Sequence, residues 1–270
     1  VRSPRFITPF AGLTLALVTL LAGCSQEKDA SAKPQASTST NGDAHKAPRL
    51  VRVGSEAAYR PMEYIDDEGN IAGYDIDLMR AIAKEGGFEV TFENVAWDAL
   101  FGMLANGEID VAISSVTITD ERKKTMTFSD PYYRSGQRLV VHAKHKDKNL
   151  TLETMDGMHV GAQIGTTSAE LVEKDFPKIS LRKFDNVVFG LRDLDQGNLD
   201  GFVVDDPVGR FYAAQGDFIN LVFVEKEYTS EDFGIVVKNG DQELLDAVNA
   251  GLKKVKESGV AEQLKDKWLR

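Results

Sequence analysis

Two stretches of ten residues, Asn106–Ser115 and Gln196–Asp205, align without a gap. Each opens on an amide residue and a glycine, carries an aspartate at its fifth place and then runs apolar. A second pair, Val53-Gly54-Ser55-Glu56 and Val160-Gly161-Ala162-Gln163, follows in the same chain order. A chain that states one pattern twice in one order is constrained to two units of related construction. Its 270 residues leave each unit room for a core.

The periodicity says what each unit is. Leu50–Gly54 alternates as a strand does, and Tyr74–Glu85 places Ile76, Met79, Ile82 and Ala83 at helical spacing before Gly86-Gly87 stops it. Phe88–Phe92 alternates again, and Trp97–Leu104 is a second amphipathic helix ended by Asn106-Gly107. Ile109–Ile113 is a nearly continuous apolar run, expected of a strand covered on both faces. The second half repeats this with a strand at Met158–Gly161 and a helix at Val187–Leu194. Strands alternating with helices predict an α/β fold of two lobes, each with a mostly parallel sheet. A strand at Phe233–Val237 and a helix from Asp241 to about Lys256 follow; the helix breaks near Gly259 before a short one ending at Trp268. This tail is expected to cross back and cover the first lobe, so that two crossovers form a hinge. Ligands bind beyond the carboxyl ends of the strands in such sheets, which turns Glu56, Ser115, Gln163 and Asp205 toward one cleft.

The first 24 residues read as an export signal, with Arg2 and Arg5 ahead of an apolar run from Phe10 to Leu21. That run is too short to span a bilayer. Its end, Leu21-Ala22-Gly23-Cys24, resembles the bacterial lipobox, which implies a lipidated Cys24 as the mature N-terminus and a membrane held through a lipid anchor. Residues 25–48 carry no aliphatic or aromatic side chain larger than alanine or proline, and are expected to be a disordered tether. A formal net charge of −10 argues against nucleic acid as a partner. Four scattered histidines offer no metal-ligand spacing, and no cofactor motif is present.

Ser114-Ser115-Val116-Thr117 leads into Asp120-Glu121-Arg122, where hydroxyls, backbone N–H groups and a guanidinium suit an anion. On spacing alone Arg122 is equally one charge of a solvated run. In Asp205-Asp206-Pro207, helix capping falls to Asp206 and leaves Asp205 at a strand tip, where it suits an ammonium group or plain solvent. Tyr59 and Trp97 each follow a strand, as core residues or as ligand platforms. Gly165-Thr166-Thr167-Ser168 is a second glycine-and-hydroxyl loop whose plainer role is helix capping.

Tyr59–Tyr64, Gly73–Leu78, Ile118–Lys124 and Phe128–Tyr133 together resemble the bacterial extracellular solute-binding proteins for polar amino acids, family 3, in order and spacing from Leu50 to the C-terminus. The resemblance implies the type II periplasmic-binding-protein fold, with lobe 1 over 49–134 and 232–270 and lobe 2 over 135–231. It also implies a monomeric, exported binder that delivers a small amino acid to an ABC transporter permease. By it, Arg122 grips the α-carboxylate with Ser115, Thr117 and Thr167, Asp205 receives the α-ammonium, and Tyr59 and Trp97 sandwich the side chain. An acid at Glu56 and the Ser114-Ser115 pair resemble binders of cationic amino acids: arginine first, then lysine, ornithine or histidine, with Gln163 beside Glu56. Glutamine or another polar amino acid is the alternative. An enzyme of the cyclohexadienyl dehydratase kind is the other, but by alignment Ala169 holds the place of the general acid, beside Glu170.

Overall fold

The computed structural model describes residues 47–216 and 218–270. The expected signal, Cys24 and nearly all of the tether lie outside the described residues.

The chain opens with β1 (Leu50–Ser55), a small antiparallel meander of β2 (Ala58–Tyr59), β3 (Glu63–Ile65) and β4 (Ile71–Ala72), then α1 (Tyr74–Gly86). It continues through β5 (Glu89–Asn94), α2 (Trp97–Asn106), β6 (Val111–Ala112), a single turn α3 (Asp120–Lys123) and β7 (Thr127–Phe128). The strand β8 (Tyr133–Ser135) carries it to a second sheet of β9 (Gln137–His142), β10 (His159–Gln163), β11 (Ser180–Phe184), β12 (Gly201–Asp205) and β13 (Leu221–Val224). The helices there are α4 (Thr167–Asp175), α5 (Val187–Asp195) and α6 (Asp206–Ala214). The chain returns along β14 (Glu231–Phe233), antiparallel to β8, and adds β15 (Val236–Val237), α7 (Gln242–Glu257) and α8 (Val260–Trp268).

The sheets have matching orders, β5-β1-β6-β15-β7 and β11-β10-β12-β9-β13. In each, three parallel strands are followed by one antiparallel strand that has just crossed from the other lobe. The internal repeat is therefore a repeat of packing. Gly107 and Gly197, equivalent in it, both take left-handed φ (77° and 81°), which lets the chain turn from helix toward strand. Gly54 and Gly161 are equivalent too, and a Cβ on either would sit 2.6 Å from a side chain beneath, of Ile109 or Phe202.

The tail returns to the first lobe as expected. Leu244, Val248, Leu252 and Val255 of α7 are buried in one cluster with Leu78, Met79 and Ile82 of α1. The single strand expected over Phe233–Val237 is split, because Phe233 pairs in the hinge ribbon and only Val236 and Val237 join the sheet. Gly234 lies between, where Ile118 and Phe128 leave no room for a Cβ.

Candidate functional site

Every parallel strand that bears a candidate residue releases it at its carboxyl end, where the strand's hydrogen bonding stops and the chain turns into a loop. Glu56 follows β1, Ser114 and Ser115 follow β6, Gln163 ends β10 and Asp205 ends β12. These ends converge on one pocket between the lobes. All ten residues expected from sequence line it: Glu56, Tyr59, Trp97, Ser114, Ser115, Thr117, Arg122, Gln163, Thr167 and Asp205. Glu63 and Thr166, which sequence reasoning did not assign, line it as well.

At one end Gln163 Nε2 donates to both oxygens of Glu56, at 2.9 and 2.8 Å, and to the carbonyl of Asp185 at 3.0 Å. The amide is neutral, and no cation among the described residues pairs with Glu56. Burial pushes its carboxyl up to about 7, and the Gln163 bond only partly opposes this.

At the other end Asp205 Oδ2 accepts from the Tyr59 hydroxyl at 2.5 Å, and Oδ1 accepts from Gln137 Nε2 at 2.8 Å. Burial pushes Asp205 up to about 7, against the Tyr59 bond. Here one expectation needs correcting. Asp205, not Asp206, occupies the N-cap position of α6, although its side chain makes no capping bond. Asp206 is the first helical residue, and its carboxylate is taken by Arg138 (2.6 Å) and Arg210 (3.0 Å). Asp205 thus remains turned into the cavity.

Arg122 also lines the pocket: Nη1 donates to the carbonyl of Thr117 at 3.0 Å and Nη2 to that of Gly165 at 3.2 Å, with the guanidinium carbon 5.6 Å from the Trp97 ring centroid. Its partners are carbonyls, so its charge has no directly bonded carboxylate. Burial draws its pKa below the usual guanidinium value. The helix α3 that carries it is one turn long, and Thr119 caps it by accepting from the backbone N–H of Arg122. Trp97 Nε1 donates to the same Gly165 carbonyl at 3.4 Å.

Glu231, from the hinge strand β14, was also missed. Its Oε2 accepts from Thr117 Oγ1 at 2.9 Å and Thr167 Oγ1 at 3.0 Å, one hydroxyl from each lobe. Gln137, the first residue of β9, links this carboxylate (3.4 Å) to Asp205. Glu170 makes no hydrogen bond in this network: exposed on α4, it pairs with Lys174 and acts on Arg122 through its charge, while Ala169 is buried beside it. No group of three or more His, Cys, Asp or Glu among the described residues is arranged to hold a metal ion. No helix among them is long and apolar enough to cross a membrane.

Two lobes of the same topology, closing on one polar cavity, define a substrate-binding protein. The chain belongs to the bacterial extracellular solute-binding proteins, family 3, whose family model matches residues 51–270. It is 36% identical over 265 residues to a probable histidine-binding protein of Neisseria gonorrhoeae, an alignment covering 96% of this chain and 94% of that one. It is 32% identical over 231 residues to a putative ABC transporter arginine-binding protein of Escherichia coli, covering 83% and 92%. Among solved structures it resembles an ancestral arginine-binding protein bound to arginine, with a TM-score of 0.78 and 36% identity over 83% of this chain and 100% of that one. These relatives are named as binders rather than enzymes, and this chain is likewise a binding protein.

Proposed function

We propose that the chain captures a cationic L-amino acid, arginine first and then lysine, ornithine or histidine, and delivers it to the permease of an ABC importer. The observation that carries this is Glu56: a buried carboxylate whose side-chain partner among the described residues is the neutral amide of Gln163. An unpaired buried carboxylate is costly, and a guanidinium or ammonium at that end of the cavity supplies the missing charge. The plane of a guanidinium also suits the faces of Tyr59 and Trp97.

Asp205 repeats the argument at the opposite end, where Tyr59 and Gln137 are its neutral donors. It suits the ligand's α-ammonium. Arg122, whose bonds go to carbonyls, suits the α-carboxylate together with Ser115, Thr117 and Thr167. The relatives named for histidine and arginine support the same ligand class. Export, a lipid anchor at Cys24 and action as a monomer complete the proposal.

A thermal-shift panel of the common amino acids tests it. A ligand at about 100 times its dissociation constant adds about 2.7 kcal/mol of stability, which a melt resolves. Arginine is expected to give the largest shift. A larger shift with glutamine or glutamate overturns the cationic assignment.

A further inference from the structure

Behind Glu56 lies a second pair of acids. Glu63 on β3 and Asp75 on α1 are both fully buried, and neither bonds to a lysine, arginine or histidine among the described residues. Glu63 Oε1 accepts from the Ser114 hydroxyl at 2.8 Å, and Ser114 Oγ accepts from the backbone N–H of Glu56 at 3.0 Å. Asp75 Oδ2 accepts from the Ser115 N–H at 2.8 Å and from the Tyr132 hydroxyl at 2.7 Å.

The remaining oxygens, Glu63 Oε2 and Asp75 Oδ1, are buried and have no N–H or O–H partner among the described residues. The two carboxyls are close enough that each acts on the other's ionisation. Two carboxylates in contact repel, whereas one proton between them satisfies both orphan oxygens. Glu63 is the one that holds it. Asp75 already accepts from the Ser115 N–H and the Tyr132 hydroxyl, whereas Glu63 accepts from Ser114 alone, and burial pushes both carboxyls up.

The pair sits under the strained turn of the site. Ser115 has φ 49°, an uncommon value for a residue with a Cβ, and its N–H is held by Asp75. Ser114 thus ties Glu63 to the backbone of Glu56, while Asp75 holds the backbone of the adjacent Ser115.

We propose that Glu63 is a positioning residue for cation selectivity: its proton, shared with Asp75, fixes Ser114 and through it the placing of Glu56 at the end of the cavity. The proposal rests on the cationic reading of the site. Other ionisable groups around the row are Tyr59, Tyr74 and Tyr132, all pushed up, and Asp98, which acts on Glu56 from α2. None of these is a cation. Arg122 and Glu231 act on Asp205, at the far end.

Calorimetry with arginine and with glutamine separates the possibilities. Glu63→Gln keeps an acceptor for Ser114 and a donor for Asp75, and is expected to hold both affinities within about threefold of the wild type. Glu63→Leu breaks the tie to Ser114, and is expected to lower the arginine-to-glutamine affinity ratio about tenfold or more while largely sparing glutamine. Equal weakening of both ligands in Glu63→Leu, or a loss in Glu63→Gln as large as in Glu63→Leu, overturns the proposal. If Glu63→Leu does not fold, infrared spectroscopy on the wild type and Glu63→Gln decides. At about pH 8, where Glu56 and Asp205 are ionised, a protonated-carboxyl band should be present in the wild type and missing from the variant. Identical carboxyl regions in the two proteins overturn it. A wild type that prefers glutamine fails the cationic reading instead, and the infrared result still reports on the proton.

Discussion

Glu56 and Gln163 hold the same place in the two halves of the internal repeat, one just past β1 and the other at the end of β10. They meet across the cleft through bonds of 2.9 and 2.8 Å from one amide nitrogen to both carboxylate oxygens. The pseudo-symmetry of the fold thus brings a charged residue against a neutral one. In the proposed cationic reading, a ligand's positive end supplies the charge this pairing lacks. Glu56→Gln is expected to weaken arginine by roughly 2–5 kcal/mol, the scale of truncating one half of a buried charge pair, and to spare a neutral ligand. Titration calorimetry with arginine and glutamine measures both. Equal arginine affinity in the variant would falsify the role given to Glu56.

Arg122 is the cation among the residues that line the cavity, and its side chain bonds only to the carbonyls of Thr117 and Gly165. Arg122→Ala is expected to cost roughly 2–5 kcal/mol of binding for every α-amino acid tested, cationic or neutral, since the α-carboxylate is common to all. Near-native affinity in the variant removes that assignment.

Acid should act in opposite directions on stability and on binding. Glu56 and Asp205 both titrate near 7 in the folded protein, against ordinary values of 4.5 and 3.8. Between those limits the folded state holds more protons than the unfolded one, so their contribution to stability is fully present below about pH 4 and is lost as pH rises through 7. A cationic ligand needs both groups ionised, so its affinity falls as pH drops below about 7. Melts at about pH 5 and about pH 8 should show a more stable free protein at the lower pH and a larger arginine-induced shift at the higher one. The carboxylates drawn low by ion pairs, such as Asp110 beside Arg52 and Asp241 beside Arg49, titrate below this window.

Glu231 gathers the hydroxyls of Thr117 and Thr167 onto one carboxylate oxygen, and those threonines belong to opposite lobes. Small-angle scattering should show a radius of gyration that falls when arginine binds, because one ligand bridges both lobes and favours the closed form. Glu231→Ala should enlarge the ligand-free protein and so increase that fall. An unchanged radius in the ligand-free variant excludes Glu231 as a tie between the lobes.

Native-host mass spectrometry bears on the anchor. A mature N-terminus at a lipidated Cys24 is expected, and Cys24→Ser should leave the protein without lipid but with arginine affinity unchanged. An unmodified N-terminus well downstream of Cys24 counts against the anchor.

The sequence by itself determined the main repeated strands and helices and the strand tips, but not the β2–β4 meander or the hinge and edge strands. Helical and strand periodicities are local, and the repeat of Asn106–Ser115 in Gln196–Asp205 placed Ser115 and Asp205 at equivalent ends of β6 and β12. What a side chain meets there was not legible, because its partners come from distant parts of the chain. Gln137 reads as an ordinary polar residue within a strand, yet it reaches Asp205, 68 residues away. Glu231 sits in a polar stretch that gives no sign of a site, and only the antiparallel pairing of β8 with β14 carries it between the lobes. Glu63 had a faint signal, as an acid between Met62 and Tyr64. Its proton-sharing with Asp75 is decided by burial, since only exclusion of water makes two adjacent carboxyls keep one proton. Asp205 and Asp206 were separated in the same way: the arginines that claim Asp206 lie on β9 and α6, and their arrival is a property of the folded lobe.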